Sequence, residues 1–298
     1  MNALKTIVAA TDLSTPSRHA ADRAARMARS HGAALTLMHT LGATAFDDLR
    51  RWLSNSAAAQ AAVEADAGER LHALALELGR RHKLDVADLR VTGHAVEAIT
   101  EHANEVNADL IVTGTRGAGF FRGVVVGSTA ERVATRSARP VLMVRQAPHE
   151  PYRRVLVPVD FSPWSAAAIA LALQAAPRAS FVLMHAVEVP FEGRLRLAGV
   201  GDDVIGRYRA AARREAQQKL RDLALHAGLA ADRVHVATPD GAAPWMLVLQ
   251  QEQEHDCELI VMGRQGRHAV ADLLLGSTTR MVMSECSSDV LVSAHRVS

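Results

Sequence analysis

Residues 4–10 form an apolar run with little alternation, which reads as a strand buried on both faces, as in a parallel sheet covered by helices. Asp12 closes the run, and an alanine-rich segment with helical spacing follows to about Arg29, with Ser14 or Ser17 as its N-cap. The pattern then repeats. Short apolar runs at 34–40, 86–91, 110–113 and 141–144 read as strands, and longer segments at 56–83, 94–107 and 128–137 read as helices. Residues 57–67 contain so much alanine that helix is expected there whatever the segment packs against. Strand followed by helix, several times over, predicts right-handed crossovers and a doubly wound sheet.

The same program restarts after Tyr152. Strands are expected at 154–159, 181–187, 233–237, 258–262 and 290–293, and helices from Ser162-Pro163 to Gln174, at 205–226 and at 277–286. Proline suits a first helical turn, so Ser162-Pro163 is a stronger start than Ser14-Thr15. Residues 191–203 hold three glycines and little periodicity and read as a loop over the ligand edge or a long connection. Residues 146–151 are short, polar and carry Pro148 and Pro151, which makes them the domain boundary. The expected architecture is α/β: two similar doubly wound, mainly parallel five-stranded sheets flanked by helices, Rossmann-like, with domains at 1–146 and 152–298.

The strongest motif sits after the fourth strand of each half. Gly114-Thr115-Arg116-Gly117 is followed by nine residues and Gly127-Ser128-Thr129, and Gly263-Arg264-Gln265-Gly266 by nine residues and Gly276-Ser277-Thr278. Glycine lets a ligand approach the main chain closely. Ser128 and Ser277 stand where the next helix begins, and there the free N–H groups and the helix dipole favour an anion such as phosphate. Each charge-assisted N–H bond contributes about 1.5–3 kcal/mol, so three or four hold a nucleotide without lysine, and neither loop contains one. The spacing is neither a P-loop nor the dinucleotide fingerprint. The plainer alternative is a pair of tight strand-to-helix turns with Ser128 and Ser277 as caps. Asp12 and Asp160 recur at the ends of the first strands, the edge where open α/β sheets bind ligands, and either caps its turn or accepts hydrogen bonds from sugar hydroxyls.

Composition narrows the classes. The chain has 298 residues, 34 Lys+Arg against 32 Asp+Glu and a formal charge of +2, too balanced for a nucleic-acid surface. No stretch approaches the length of a membrane helix and no secretory pattern opens the chain. The two cysteines, Cys257 and Cys286, define no disulfide framework, so a cytoplasmic location is the simplest expectation. No histidine group has metal-ligand spacing, and neither cysteine nor Ser128 nor Ser277 has an identifiable base, so no catalytic residue is assigned.

These residues resemble the universal stress protein family, as a tandem member whose likeness covers both halves. It rests on Asp12 and Asp160, on Gly114, Gly117, Gly127 and Ser128 with Gly263, Gly266, Gly276 and Ser277, and on the final strands at 140–144 and 289–292. The complete glycine signature resembles the ATP-binding branch. The resemblance implies that Asp12 and Asp160 contact adenine or ribose, and that backbone near His39-Thr40 and His185-Ala186 contacts the base. It also implies that the glycines with Ser128 and Ser277 surround the phosphates of ATP, with or without Mg, and that Thr129 and Thr278 lie beside them. Arg116 and Arg264 are placed by spacing near the phosphate path. Ala10 stands where the second half has Pro158, near the base pocket, and Asp289 stands where the first half has Pro140. Family members pair through their last strands, so the expected partners are a nucleotide, the other half of the same chain and an unassigned protein, with a homodimer compatible but not required. The implied function is an ATP-binding stress or regulatory module; a slow ATPase or phosphotransfer enzyme and a nucleotide-free interaction unit remain alternatives.

Overall fold

A computed structural model describes residues 3–42, 57–115, 127–188, 192–266 and 275–294. In chain order the first half contains β1 (Thr6–Ala10), α1 (Thr15–His31), β2 (Ala34–Gly42), α2 (Ala57–His82), β3 (Val86–Gly93), α3 (Ala95–Glu105), β4 (Leu110–Gly114), α4 (Ser128–Arg136) and β5 (Val141–Val144). The second half contains β6 (Arg154–Pro158), α5 (Pro163–Ala175), β7 (Ser180–Met184), α6 (Glu192–Leu197), α7 (Asp202–His226), β8 (Val234–Ala237), α8 (Pro244–Glu254), β9 (Leu259–Gly263), α9 (Ser277–Glu285) and β10 (Asp289–Ser293). The chain divides into two compact units, one reaching Pro151 and the other beginning at Tyr152, with the stretch from Ser287 through β10 belonging to the first.

In the first unit the order is β3-β2-β1-β4-β5-β10, and β1 runs parallel to both β2 and β4. Ile7, Leu35, Leu37, Leu110, Ile111 and Leu142 are fully buried, as the unalternating runs require of strands covered on both faces. Buried alanines at 20, 21, 24, 25 and 28 let α1 lie close against that sheet. Its start is Ser14 and its end is Gly32, whose φ of 68° is the left-handed value that glycine adopts without strain. The second unit repeats the plan as β9-β6-β7-β8, all parallel, with α5 beginning at Pro163 after Ser162. The α/β class with a mainly parallel sheet flanked by helices is therefore the observed one.

Strand β10 runs antiparallel to β5, with Leu291 opposite Leu142, the pairing through last strands that the family resemblance implies. The four residues of β5 are all buried, and an apolar strand on its free edge satisfies their backbone groups. Asp289, where Pro140 stands in the first half, is 2% exposed; its Oδ1 accepts the Arg145 N–H at 2.8 Å and its Oδ2 lies 3.5 Å from Arg23 Nε. The sequence reading assigns nothing between Gly241 and Cys257, yet α8 lies there, opened by Pro244 in the first turn. The 191–203 stretch holds the short helix α6 and then Gly199 in a left-handed turn, at φ 76°.

Candidate functional site

The carboxyl ends of β1 and β6 build the same turn twice. Asp12 Oδ1 accepts the Ser14 N–H at 3.1 Å, and Asp160 Oδ1 accepts the Ser162 N–H at 3.0 Å, each a side chain closing its own turn two residues on. The residue between is forced into left-handed backbone: Leu13 has φ 64° and Phe161 φ 60°. Non-glycine residues pay about 1–3 kcal/mol for such angles and hold them where surrounding structure over-determines the turn. Two copies of the strain at matched positions mark these turns as built features of the fold.

The next strand clamps each turn. His39 Nδ1 lies 2.7 Å from the Thr11 carbonyl oxygen, and His185 Nδ1 lies 2.7 Å from that of Val159. A carbonyl only accepts, so in both rings Nδ1 carries the proton and donates it. Each imidazole, from within β2 at His39 and from just past β7 at His185, thereby reaches the residue preceding the aspartate. Sequence reasoning named both histidines only for their neighbouring backbone; their matched places in the two halves were the available signal for this clamp. His39 is buried, whereas His185 is half-buried and packs against Phe161 at 4.5 Å between ring centres, with Lys219 Nζ 5.7 Å from the Phe161 ring on the α7 side. Thr40 and Ala186, the adjacent residues, are half-buried.

The glycine loops close in the same way in both copies. Gly127 N–H donates to the Thr115 oxygen at 2.6 Å, and Gly276 N–H donates to the Arg264 oxygen at 2.9 Å. Gly127 and Gly276 are the residues before α4 and α9, and neither helix has a side-chain cap. Ser128 and Ser277 are therefore the first residues of their helices, not the caps. Thr129 is exposed and Thr278 half-buried beside them. The first-turn N–H groups of each helix are orphans of the helical ladder, and no side chain from the cap position takes them.

In the second copy the loop meets the aspartate. A Cβ on Gly266 would lie 2.7 Å from Asp160 Oδ2, and a Cβ on Gly263 would lie 2.6 Å from Trp164 Cβ. A methyl group at either place would force its neighbour or the loop to shift. Asp160, Gly263, Gly266 and the start of α9 are thus brought to one edge of the sheet. In the first copy Asp12, His39, Gly114, Gly127 and Thr129 occupy the corresponding elements, while Arg116 and Gly117 lie outside the described residues. Arg264 does not match Arg116: its backbone makes the loop-closing bond that Thr115 makes, and its side chain is 6% exposed. Burial pushes its guanidinium pKa below the ordinary value. Gln265 holds the place of Arg116 and is also buried. Among the described residues no three His, Cys, Asp or Glu side chains gather as a metal site, and no helix is long and apolar enough to cross a membrane.

Two copies of a Rossmann-like α/β domain, each ending its first strand in a strained aspartate turn and its fourth in a glycine loop, define the class of this protein. The universal stress protein family matches residues 3–145 and again 151–294, so the chain belongs to that family as a tandem of two domains. A universal stress protein of Mycolicibacterium smegmatis is 28% identical over 295 residues, covering 96% of each chain. One from Thermus aquaticus is 34% identical over 149 residues, which is 47% of this chain and 98% of that relative. The solved structure of a universal stress protein from Archaeoglobus fulgidus superimposes with a TM-score of 0.68 at 22% identity, covering 97% of both chains, a likeness of fold.

Proposed function

We propose that this protein binds ATP at two sites, one in each of the domains 1–146 and 152–298, and acts as a stress-response or regulatory module whose conformation follows nucleotide occupancy. The observation that carries the reading is the seat between Gly266 and Asp160, where glycine leaves the carboxylate against bare main chain and the uncapped start of α9 stands behind the loop. A ligand with a hydroxylated sugar and an anionic tail matches that arrangement. The residues present fit such a group: glycine at 266 lets the main chain come close to the Asp160 carboxylate, and the donors at the helix start are backbone N–H groups that favour negative charge.

In this reading Asp12 and Asp160 accept hydrogen bonds from ribose hydroxyls. The strand ends at His39-Thr40 and His185-Ala186, pinned by the imidazole clamps, border the base. Gly114, Gly117, Gly127 and Ser128, with Thr129, enclose the phosphates in the first domain; Gly263, Gly266, Gly276 and Ser277, with Thr278, do so in the second. Arg116 adds charge to the phosphate path of the first site. Nucleotide occupancy then changes the surface around the glycine loops, and a partner protein reads that surface. A bound Mg ion would balance phosphate charge without requiring a protein ligand.

The test is nucleotide analysis of freshly purified protein, by chromatography of the supernatant after acid denaturation. Retained ATP, up to two equivalents per chain, is the expected result. Protein that carries no nucleotide and gives no calorimetric heat with ATP, ADP or AMP would overturn the reading.

A further inference from the structure

The strand ends of the first domain carry two buried hydroxyls with no partner among the described residues. Thr113 is the penultimate residue of β4 and is 4% exposed, and its Oγ1 makes no hydrogen bond. Thr40, on β2, is half-buried, and its Oγ1 is likewise buried and unbonded. Strand register sets both on one face. Ala10 of β1 pairs with Met38, and the Ala9–Val112 pair brings the next residues, Ala10 and Thr113, side by side. Neighbours in register share a face, and Thr40, two residues past Met38, shares it as well. Two strand spacings across and two residues along separate the Cα atoms of Thr113 and Thr40 by about 12 Å. Half-buried Ala10 lies between them.

That face is also the face of the phosphate seat. The order β3-β2-β1-β4-β5 moves the chain one way through α1 and α2 and the other way through α3 and α4, so right-handed crossovers put the two helix pairs on opposite faces. In the second domain a Cβ on Gly263 would point at Trp164 of α5, the counterpart of α1. Gly114, at the matching place, faces α1, and Thr113, one residue back, faces the side of α3 and α4. The start of α4 at Ser128 is where the first site would hold phosphate. In the second domain the same three places hold no hydroxyl. Pro158 pairs with Met184, the Leu156–Ile260 pair carried two residues on sets Pro158 beside Met262, and Ala186 stands where Thr40 does.

We propose that Thr40 and Thr113 are specificity-determining residues with which the first site reads the polar edge of a purine base, whereas the second site holds its base by apolar contact with Pro158, Ala186 and Met262. This rests on the reading of both domains as ATP sites. A hydroxyl donates and accepts, so one threonine takes a proton from the exocyclic amine of adenine and the other gives one to a ring nitrogen. The span of about 12 Å leaves room for a planar bicyclic ring with a hydrogen bond of about 2.9 Å at each end. A base edge that offers no partner covers these hydroxyls and leaves them unsatisfied, which weakens its binding. Pro158, Ala186 and Met262 exact no such penalty.

Calorimetric titration with ATP and with purine riboside triphosphate, which lacks the exocyclic amine, reads this one site at a time. Gly127 and Gly276 precede α4 and α9 with φ of −66° and −59°, angles that any residue adopts. Gly276→Asp caps α9 with a carboxylate that repels phosphate and leaves the first site to be measured; Gly127→Asp does the same at α4 and leaves the second. Main-chain contacts to the base are common to both sites, so the difference between them isolates the hydroxyls. The preference for ATP over the analogue should be larger at the first site by at least about fivefold, the worth of one hydrogen bond. In the Gly276→Asp background, Thr40→Val with Thr113→Val should lower that preference to the second-site value. The melting temperature should hold or rise, because neither hydroxyl bonds within the fold. Equal preferences at the two sites, an unchanged preference in the double valine variant, or loss of its folding overturns the proposal alone. An unaltered chain that binds no ATP removes the parent reading and this one with it.

Discussion

Replacing Gly266 with alanine tests the seat of the second site at the cost of one methyl group. The new Cβ would stand 2.7 Å from Asp160 Oδ2 and 3.8 Å from its Cγ, whereas ordinary contact begins at 3.4 Å. Either the carboxylate swings or the loop retreats. A swing sacrifices bonds from Ser162 Oγ at 2.6 Å and Ser165 Oγ at 2.8 Å. Hydrogen bonds to a charged group contribute about 1.5–3 kcal/mol each, so losing one weakens binding by roughly ten- to hundredfold. A retreat moves the loop away from the phosphates and loses N–H contacts of similar size. Gly266 is exposed and the second route is open to the free protein, so the melting temperature should fall by less than about 5 °C, on the order of 1–2 kcal/mol for a domain of this size. Calorimetry on Gly266→Ala should show one ATP site at parental affinity and one weakened at least tenfold. Two sites at parental affinity would refute the close-approach argument, and so would a variant that fails to fold, because the contact would then serve the core and not a ligand.

Three further outcomes follow from side-chain surroundings. Asp289→Ala removes the acceptor of the Arg145 N–H and the carboxylate 3.5 Å from Arg23 Nε, while Arg23 Nη1 keeps the Glu150 carbonyl, so urea unfolding should show a loss of about 1–3 kcal/mol; no measurable loss would contradict the burial argument. Burial, against a smaller opposing effect of the Arg154 charge, pushes the Cys257 thiol up to about 12, so native protein at pH 8 should react with a disulfide reagent there only after denaturant is added. Rapid native labelling of Cys257 would defeat this. For Asp22, burial raises the carboxyl pKa but hydrogen bonds and charge from His82 and Arg26 outweigh it, and the net shift is downward. A folded value below the unfolded one means that the contribution is present above the ordinary carboxylate pKa of about 3.9 and disappears as pH falls through the folded value. The stability gap between the parent and Asp22→Asn should therefore close below about pH 4, and a gap that stays constant down to pH 2 would show the carboxylate to be uncoupled.

Periodicity carried most of the architecture. Runs such as Ile7 to Ala9 and Leu110 to Val112 lack alternation because both faces of a parallel strand are covered, and that much is local information. The glycine spacing and the recurrent aspartates were equally plain, since a tight turn and a close backbone approach restrict residue type wherever they occur. Helix α8 escaped because only Leu247, Val248, Gln251 and Glu252 are buried in it, a face too mixed to announce itself.

What the sequence determined by itself was the repeated strand–helix order and the residue types at each sheet edge, because backbone sterics and hydrophobic period act within a few residues. The tertiary structure alone decided which nitrogen of His39 and His185 donates, and whether Ser17 or Ser165 reaches an aspartate. Those outcomes are set by which groups the packed strands and turns bring to one carbonyl or one hydroxyl, and hydrophobic period carries no trace of them.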